Sequence, residues 1–238
     1  ERDQTWRDQQ DELLGPSMAA QECDCDFITS GQNVVDGKIL QWYTETFIQE
    51  PIEKRGLDNN LWIWEHPDYT KSYVVSADVG RGDGEDYSAF HVFDTKELRQ
   101  VAEYKGKLST KEFGNLLVNT ATEYNDALLI VENNNVGWAT IQQCIDRDYK
   151  NLFYSSRDLK YIDVSNQMTN KYRNEDKQMV AGFSTTLKTR PLIVDKMDEY
   201  FRAKDVTVRS KRLIDELFTF IYDNGKAQAM QGAHDDLV

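Results

Sequence analysis

The apolar pattern of the chain changes character at residue 73. Before that point apolar positions are sparse. Residues 1–30 are polar and acidic, with Trp6, Leu13, Leu14 and Phe27 as their main apolar points. Ile39, Leu40, Trp42, Tyr43 and Phe47 then fall on one face of a helix predicted over 37–49, which Pro51 ends. Leu61-Trp62-Ile63-Trp64 is short and aromatic, a strand or a packing plug ahead of Pro67. Residues 1–70 therefore read as a linker or appendage packed on a main domain over 71–238.

From Tyr73 the pattern is regular. Strands are predicted over 73–78, 87–94 and 99–105, joined by short polar turns. Ser109-Thr110-Lys111-Glu112 is a capping-box sequence, and the helix behind it carries Phe113, Leu116, Leu117, Ala121 and Tyr124 on one side. Ala127-Leu128-Leu129-Ile130-Val131 is an unbroken apolar run, as expected of a strand covered on both faces. It stops on Glu132, and Gly137 marks where another helix starts. Three meandering strands followed by helix–strand–helix imply an α/β mixed sheet with helices on both faces. Residues 150–180 are weakly patterned, as in a functional loop. Further on, Pro191 suits a first helical residue ahead of Leu192, Met197 and Phe201. Val206-Thr207-Val208 reads as a strand, and Leu213, Ile214, Leu217, Phe218 and Ile221 form a stripe. A last helix is predicted to start at Asp235-Asp236.

Within this frame the acids are unevenly placed. Asp78 ends the first strand of the regular region and opens the turn Asp78-Val79-Gly80-Arg81-Gly82-Asp83-Gly84-Glu85-Asp86-Tyr87. Taken alone this is a glycine hairpin, its glycines serving positive φ or close approach of a bound phosphate. Glu132 ends the buried strand, where it can pair with a lysine or cap the next helix. Asp235 can serve as an N-cap, and His234 as a polar helix-start residue. Taken together, functional groups of open sheets gather at strand ends, and a carboxylate directly after Leu-Leu-Ile-Val is costly unless solvated, paired or metal-bound. Several such groups at one edge raise one another's pKa, a penalty that divalent cations remove. Hard oxygen donors suit Mg2+ or Mn2+, and two ions can clamp both sides of a phosphoryl displacement.

Composition changes this picture little. The 238 residues carry a net charge of −13 and only three cysteines, Cys23, Cys25 and Cys144, which excludes a disulfide framework and leaves any zinc site without a second cysteine pair. No apolar run approaches the roughly 18 residues of a membrane span, and no leader pattern opens the chain, so a cytosolic protein is expected. The acidity is concentrated in residues 1–72, with 15 acids against 6 bases, whereas 188–212 holds 8 bases against 4 acids. That basic cluster is either a solvated helix face or a phosphate track, with Lys188, Arg190, Arg209 and Lys211 as the candidate DNA contacts.

The combination of Ala-Asp78-Val-Gly-Arg-Gly-x-Gly-x-Asp86-Tyr-Ser-Ala, Ile-Val-Glu132-Asn-Asn and His234-Asp235-Asp236-Leu237-Val238 resembles the nuclease region of the large terminase subunits of tailed phages, the T-even-like branch most of all. Cys23-Asp24-Cys25-Asp26-Phe27-Ile28-Thr29-Ser30-Gly31 is similar to the stretch by which such proteins leave their ATPase domain, and Thr189-Arg190 to the family's Thr-Lys helix start. The resemblance spans roughly residues 20–238. It implies a ribonuclease-H-like fold and a metal-dependent endonuclease that cuts concatemeric viral DNA during packaging, in the host cytoplasm. It further implies a catalytic triad of Asp78, Glu132 and Asp236, with Asp235 as a further metal ligand and Asp86 and His234 in support. The partners it implies are double-stranded DNA and, through the full-length protein, portal and small terminase subunit, with no membrane. No Gly-x-x-x-x-Gly-Lys-Ser/Thr loop occurs, so the family's ATPase motor lies outside this sequence. Other readings of the same acids are a junction-resolvase-like nuclease or transposase, an actin-like ATPase, which needs a second domain copy that is not visible, and a docking module of the packaging motor acting through the acidic 1–72 surface.

Overall fold

A computed structural model describes residues 33–56, 58–82, 86–156 and 179–238, with Trp6, Asp8, Gln9, Glu12 and Leu13 of the lead-in. The 20–31 stretch, the tip of the 78–87 turn and most of the weakly patterned 150–180 stretch lie outside the described residues.

The centre of the fold is a six-stranded sheet in which chain order and spatial order differ. Its strands are β1 (Glu53–Arg55), β2 (Leu61–Ile63), β3 (Tyr73–Asp78), β4 (Ser88–Asp94), β5 (Arg99–Gly106) and β6 (Leu128–Val131), arranged β1-β2-β5-β4-β3-β6. All neighbours are antiparallel except β3 and β6, which run parallel. Two strands from the segment expected as an appendage thus form one edge of the main sheet.

Alternation along the strands assigns each face its cover. Phe90, Val92 and Val75 join Phe113, Leu117, Ala121 and Ile141 in one core. That core is roofed by α2 (Thr110–Glu123), whose capping box is formed as predicted, and α3 (Gly137–Asp146). The helix α1 (Gly37–Thr46) belongs to the other face, with α4 (Thr189–Ala203) and α5 (Lys211–Phe218). There Leu40, Tyr43, Phe201, Leu213, Leu217 and Leu237 pack together against Ala89 of β4. Two small hairpins complete the fold: β7 (Tyr154–Ser156) with β8 (Met179–Ala181), and β9 (Phe220–Asp223) with β10 (Lys226–Ala229).

Three expectations are corrected by the structure. Val206–Val208 is not a strand: Thr207 makes an isolated bridge to Arg99. Pro191 is the third residue of α4, because the Thr186 hydroxyl accepts the N–H groups of Lys188 and Thr189 and starts the helix earlier. Proline is still harmless there, since first-turn N–H groups have no helical partner. Asp235 and Asp236 do not open a helix but lie in a turn closed by Val238 N–H on Asp235 O at 3.1 Å. The Asp236 carboxylate is occupied by a tertiary partner, the Tyr87 N–H at 3.1 Å, instead of capping its own segment.

Candidate active site

The parallel pairing of β3 and β6 brings the two strand-end acids together. Ala77 lies opposite Val131, and Glu132 N–H donates to Ala77 O at 2.9 Å, so the next residues along, Asp78 and Glu132, stand side by side. Glycine makes this possible at the strand end and shapes the turn beyond it. A Cβ on Gly137 would lie 2.0 Å from the Glu132 carbonyl oxygen, so α3 can start this close to the strand end only with glycine. Gly82 has φ +81 and its Cβ would meet Leu108 O at 2.2 Å. It fits the turn against the 107–109 loop of its own chain.

Asp235 and Asp236 reach the same cleft from the turn at the end of the described chain. A cleft of about 640 Å³ is lined by Asp78, Glu132, Asp86, Asn134, Asp235 and Asp236, with Arg81 at its rim. Beside the same four acids, Asp78, Glu132, Asp235 and Asp236, a second hollow of about 210 Å³ is walled by Ile193, Val194, Met197 and Phe220 and reached by Arg190. The four acids therefore line both a polar chamber and an apolar one.

The electrostatics of the two pairs of acids differ. One edge of Asp78 opens to the cleft while protein atoms crowd its other sides; this burial, then the hydrogen bond to Glu132 and its charge, push the Asp78 pKa up to about 8. Glu132 is steadied by Asn134 Nδ2 at 2.7 Å, a donor that also reaches Thr185 O. Asp236, by contrast, is compensated. Its Oδ2 lies 2.9 Å from Lys105 Nζ and 3.6 Å from His234 Nδ1. Asp235 Oδ2 accepts from Arg190 Nη2 at 3.2 Å.

The candidate residues are thus sorted by place. Asp78, Glu132, Asp235 and Asp236 are brought to one cleft, Asp86 lines it, and His234 stands at Asp236. Arg190 reaches the acids, and Lys188 is exposed in the turn before α4. Arg209 and Lys211 do not line the cleft. The Arg209 side chain is 12 % exposed and ion-paired to Glu65 at 2.6 Å, and Lys211 pairs with Asp215 one helical turn away. Charge counting along the sequence missed these partners. It also missed Arg81, which lines the cleft, and Lys107 and Lys105, which lie 4.8 and 4.7 Å from the ring centroid of Tyr87, itself a lining residue. Their signal was position: Arg81 lies within the turn that follows Asp78, and Lys105 and Lys107 sit at the end of a strand antiparallel to its return.

The donor set is composed of hard carboxylate oxygens, and two of them are pressed together at a cost that a cation would relieve, so the residues fit a divalent metal. As they stand, no three His, Cys, Asp or Glu side chains among the described residues converge on one ion position.

No family model matches the chain. Solved structures do. The large terminase nuclease from thermophilic phage G20c with bound cobalt superposes with a TM-score of 0.62 at 18% identity, over 87% of this chain and 93% of the other. The same nuclease with bound magnesium gives equal values. The large terminase nuclease domain of Thermus phage P74-26 matches with a TM-score of 0.56 at 18% identity, over 84% of this chain and 89% of its own. The fold is that of the phage large terminase nucleases. This is the ribonuclease-H-like α/β architecture expected from the sequence. At this identity the likeness speaks for fold. Among the described residues no helix is long and apolar enough to cross a membrane.

Proposed function

We propose that the chain is a metal-dependent DNA endonuclease, the nuclease part of a large terminase related to the T-even-like branch, which cuts concatemeric viral DNA during packaging. The observation that carries this reading is the side-by-side placement of Asp78 and Glu132 at the ends of parallel strands, in a cleft that Asp235 and Asp236 also line. The metal-bound state of the G20c neighbours, with cobalt and with magnesium, supports the choice of a divalent cation. Mg2+ or Mn2+ is the proposed ion, two ions the proposed stoichiometry, and double-stranded DNA the substrate.

A bound divalent cation would supply charge stabilisation at the phosphate and a more acidic water. The chain's own residues do the rest. Asp78 and Glu132, side by side at adjacent strand ends, would hold the cation, with Glu132 steadied by Asn134. Asp236 and Asp235 would complete the set, with Asp86 lining the same cleft and His234 beside Asp236. Lys188 and Arg190 meet backbone phosphates, which positions the duplex without reading its sequence. Arg190 can exchange its Asp235 partner for a phosphate because both are oxyanions matched to its guanidinium. Little sequence preference follows. Residues 1–70 are proposed to connect to the ATPase domain of the full-length protein, through which portal and small terminase subunit would be engaged in the host cytoplasm.

The test is incubation with supercoiled plasmid and Mg2+ or Mn2+, beside Asp78→Asn. Nicking and linearisation by the wild type alone is the expected result. An intact plasmid under every metal, or equal cutting by the variant, removes the nuclease reading.

A further inference from the structure

Strand register lines up four side chains across the sheet. Asp78 is paired with Ala89, and Ala89 with Lys105. The register that sets Ala77 opposite Val131 puts Glu132 beside Asp78. Directly paired residues share a face, so the row runs Glu132, Asp78, Ala89, Lys105: two carboxylates, a methyl group and an ammonium. Asp236 joins this row at its cationic end, 2.9 Å from Lys105 Nζ, and its charge also acts on Asp78.

Lys105 is built into the fold. Its side chain is 14 % exposed, and its ammonium is bound from the other side by Glu216 of α5. Glu216 in turn accepts the Leu237 N–H at 2.8 Å, and Leu237 O accepts from His91 Nε2 of β4 at 2.9 Å. The Leu237 side chain is buried in the second core. The carboxylate of Asp236 and the backbone just after it are therefore gripped by β4, β5 and α5, all remote in sequence. A carboxylate offers about four lone-pair sites, so the ammonium and a metal can share it.

We propose that Lys105 is a positioning residue for the metal centre: it fixes Asp236 at the end of the carboxylate row, with Glu216 and His91 securing the backbone behind it. The proposal rests on the metal-centre reading given above. An ordinary structural ion pair would stabilise the fold without setting metal affinity, and the two roles separate experimentally.

The experiment is titration of the full chain with Mn2+ alone, followed by electron paramagnetic resonance of the free ion, with melting temperatures measured in parallel. Lys105→Met is expected to weaken Mn2+ binding about 10- to 100-fold, the usual effect of removing a group that orients a metal ligand. Lys105→Arg, which keeps the charge, recovers most of it. In Lys105→Met/Glu216→Gln the second change removes the carboxylate left unpaired, while its amide oxygen still accepts the Leu237 N–H. This double variant is expected to melt nearer to the wild type than Lys105→Met does, yet to bind Mn2+ as weakly. Wild-type affinity in the double variant, or affinity that simply follows melting temperature across the set, overturns the proposal. If Lys105→Met does not fold, the double variant and Lys105→Arg decide. A wild type that binds no Mn2+ fails at the metal centre itself, and the role of Lys105 falls with it; binding that is intact in every variant overturns only that role.

Discussion

The two pairs of acids in the cleft are held by different means. Asp78 and Glu132 stand at strand ends and are placed by the main chain, through the β3–β6 ladder and the close start of α3 at Gly137. Neither acid forms an ion pair among the described residues, and the two press on each other. Asp235 and Asp236 sit in an irregular turn and carry charged side-chain partners, Arg190 on one and Lys105 on the other, with the Tyr87 N–H also on Asp236. The difference separates two tasks. Uncompensated acids on a rigid sheet store a demand for positive charge, whereas acids on a turn have theirs met by partners remote in sequence.

The sharpest way to break this comparison is to substitute one acid of each pair. Asp78→Asn removes a ligand that only a cation would balance. Plasmid cleavage is expected to fall about 1,000-fold, the loss that corresponds to several kcal/mol of transition-state charge stabilisation. Asp235→Asn, already balanced by Arg190, is expected to cost less than about tenfold. Equal losses would show that the pairs do not differ in the way described.

Next in size is a change of backbone placement without any change of charge. Gly137→Ala drives a methyl into the Glu132 carbonyl. Overpacking against main chain is expected to cost about 3 kcal/mol, read by urea denaturation, with Mn2+ binding weakened because Glu132 is displaced.

Smaller again is the effect of surface charge. Arg190→Glu is expected to lower the salt dependence of DNA binding by about one unit of slope, whereas Lys211→Glu, from the same basic stretch, leaves it unchanged. Arg209→Ala is expected to lower the melting temperature instead, because Glu65 loses a buried partner.

The smallest expected effect is a pH slope. Asp78 titrates near 8 in the folded protein, above its ordinary carboxylate value, so the folded state binds the proton more tightly than the unfolded chain. Its contribution to stability is present at acidic pH and is lost as pH rises through about 8. Melting temperature of the metal-free protein should therefore fall across that window, and Asp78→Asn should flatten the fall.

The parts that could be read from the sequence are those where local pattern and tertiary environment agree. Val74 and Val75 ahead of Asp78, Leu128 to Val131 ahead of Glu132, and the Ser109–Glu112 box each state their element in a few residues, and the two strand-end acids came with them. Glu53-Lys54-Arg55 could not announce β1, because a polar edge strand owes its existence to backbone pairing with β2. The β9–β10 hairpin had a signal in Asn224-Gly225, whose φ values of 49 and 78 suit a tight hairpin turn, but its flanks lack apolar alternation. Asp235 and Asp236 looked like the start of a helix because the partners that hold them and Leu237, namely Arg190, Lys105 and Glu216, lie 21 to 131 residues away along the chain. The Glu65 partner of Arg209 was hidden for the same reason, 144 residues away along the chain.

The central claim is that the strand-end acids of this cleft bind a divalent cation. A crystal soaked in MnCl2 and measured at the manganese edge tests it directly. An anomalous peak about 2 Å from carboxylate oxygens of both Asp78 and Glu132 is the predicted result. Manganese bound elsewhere on the protein while the Asp78–Glu132 contact stays empty would contradict it.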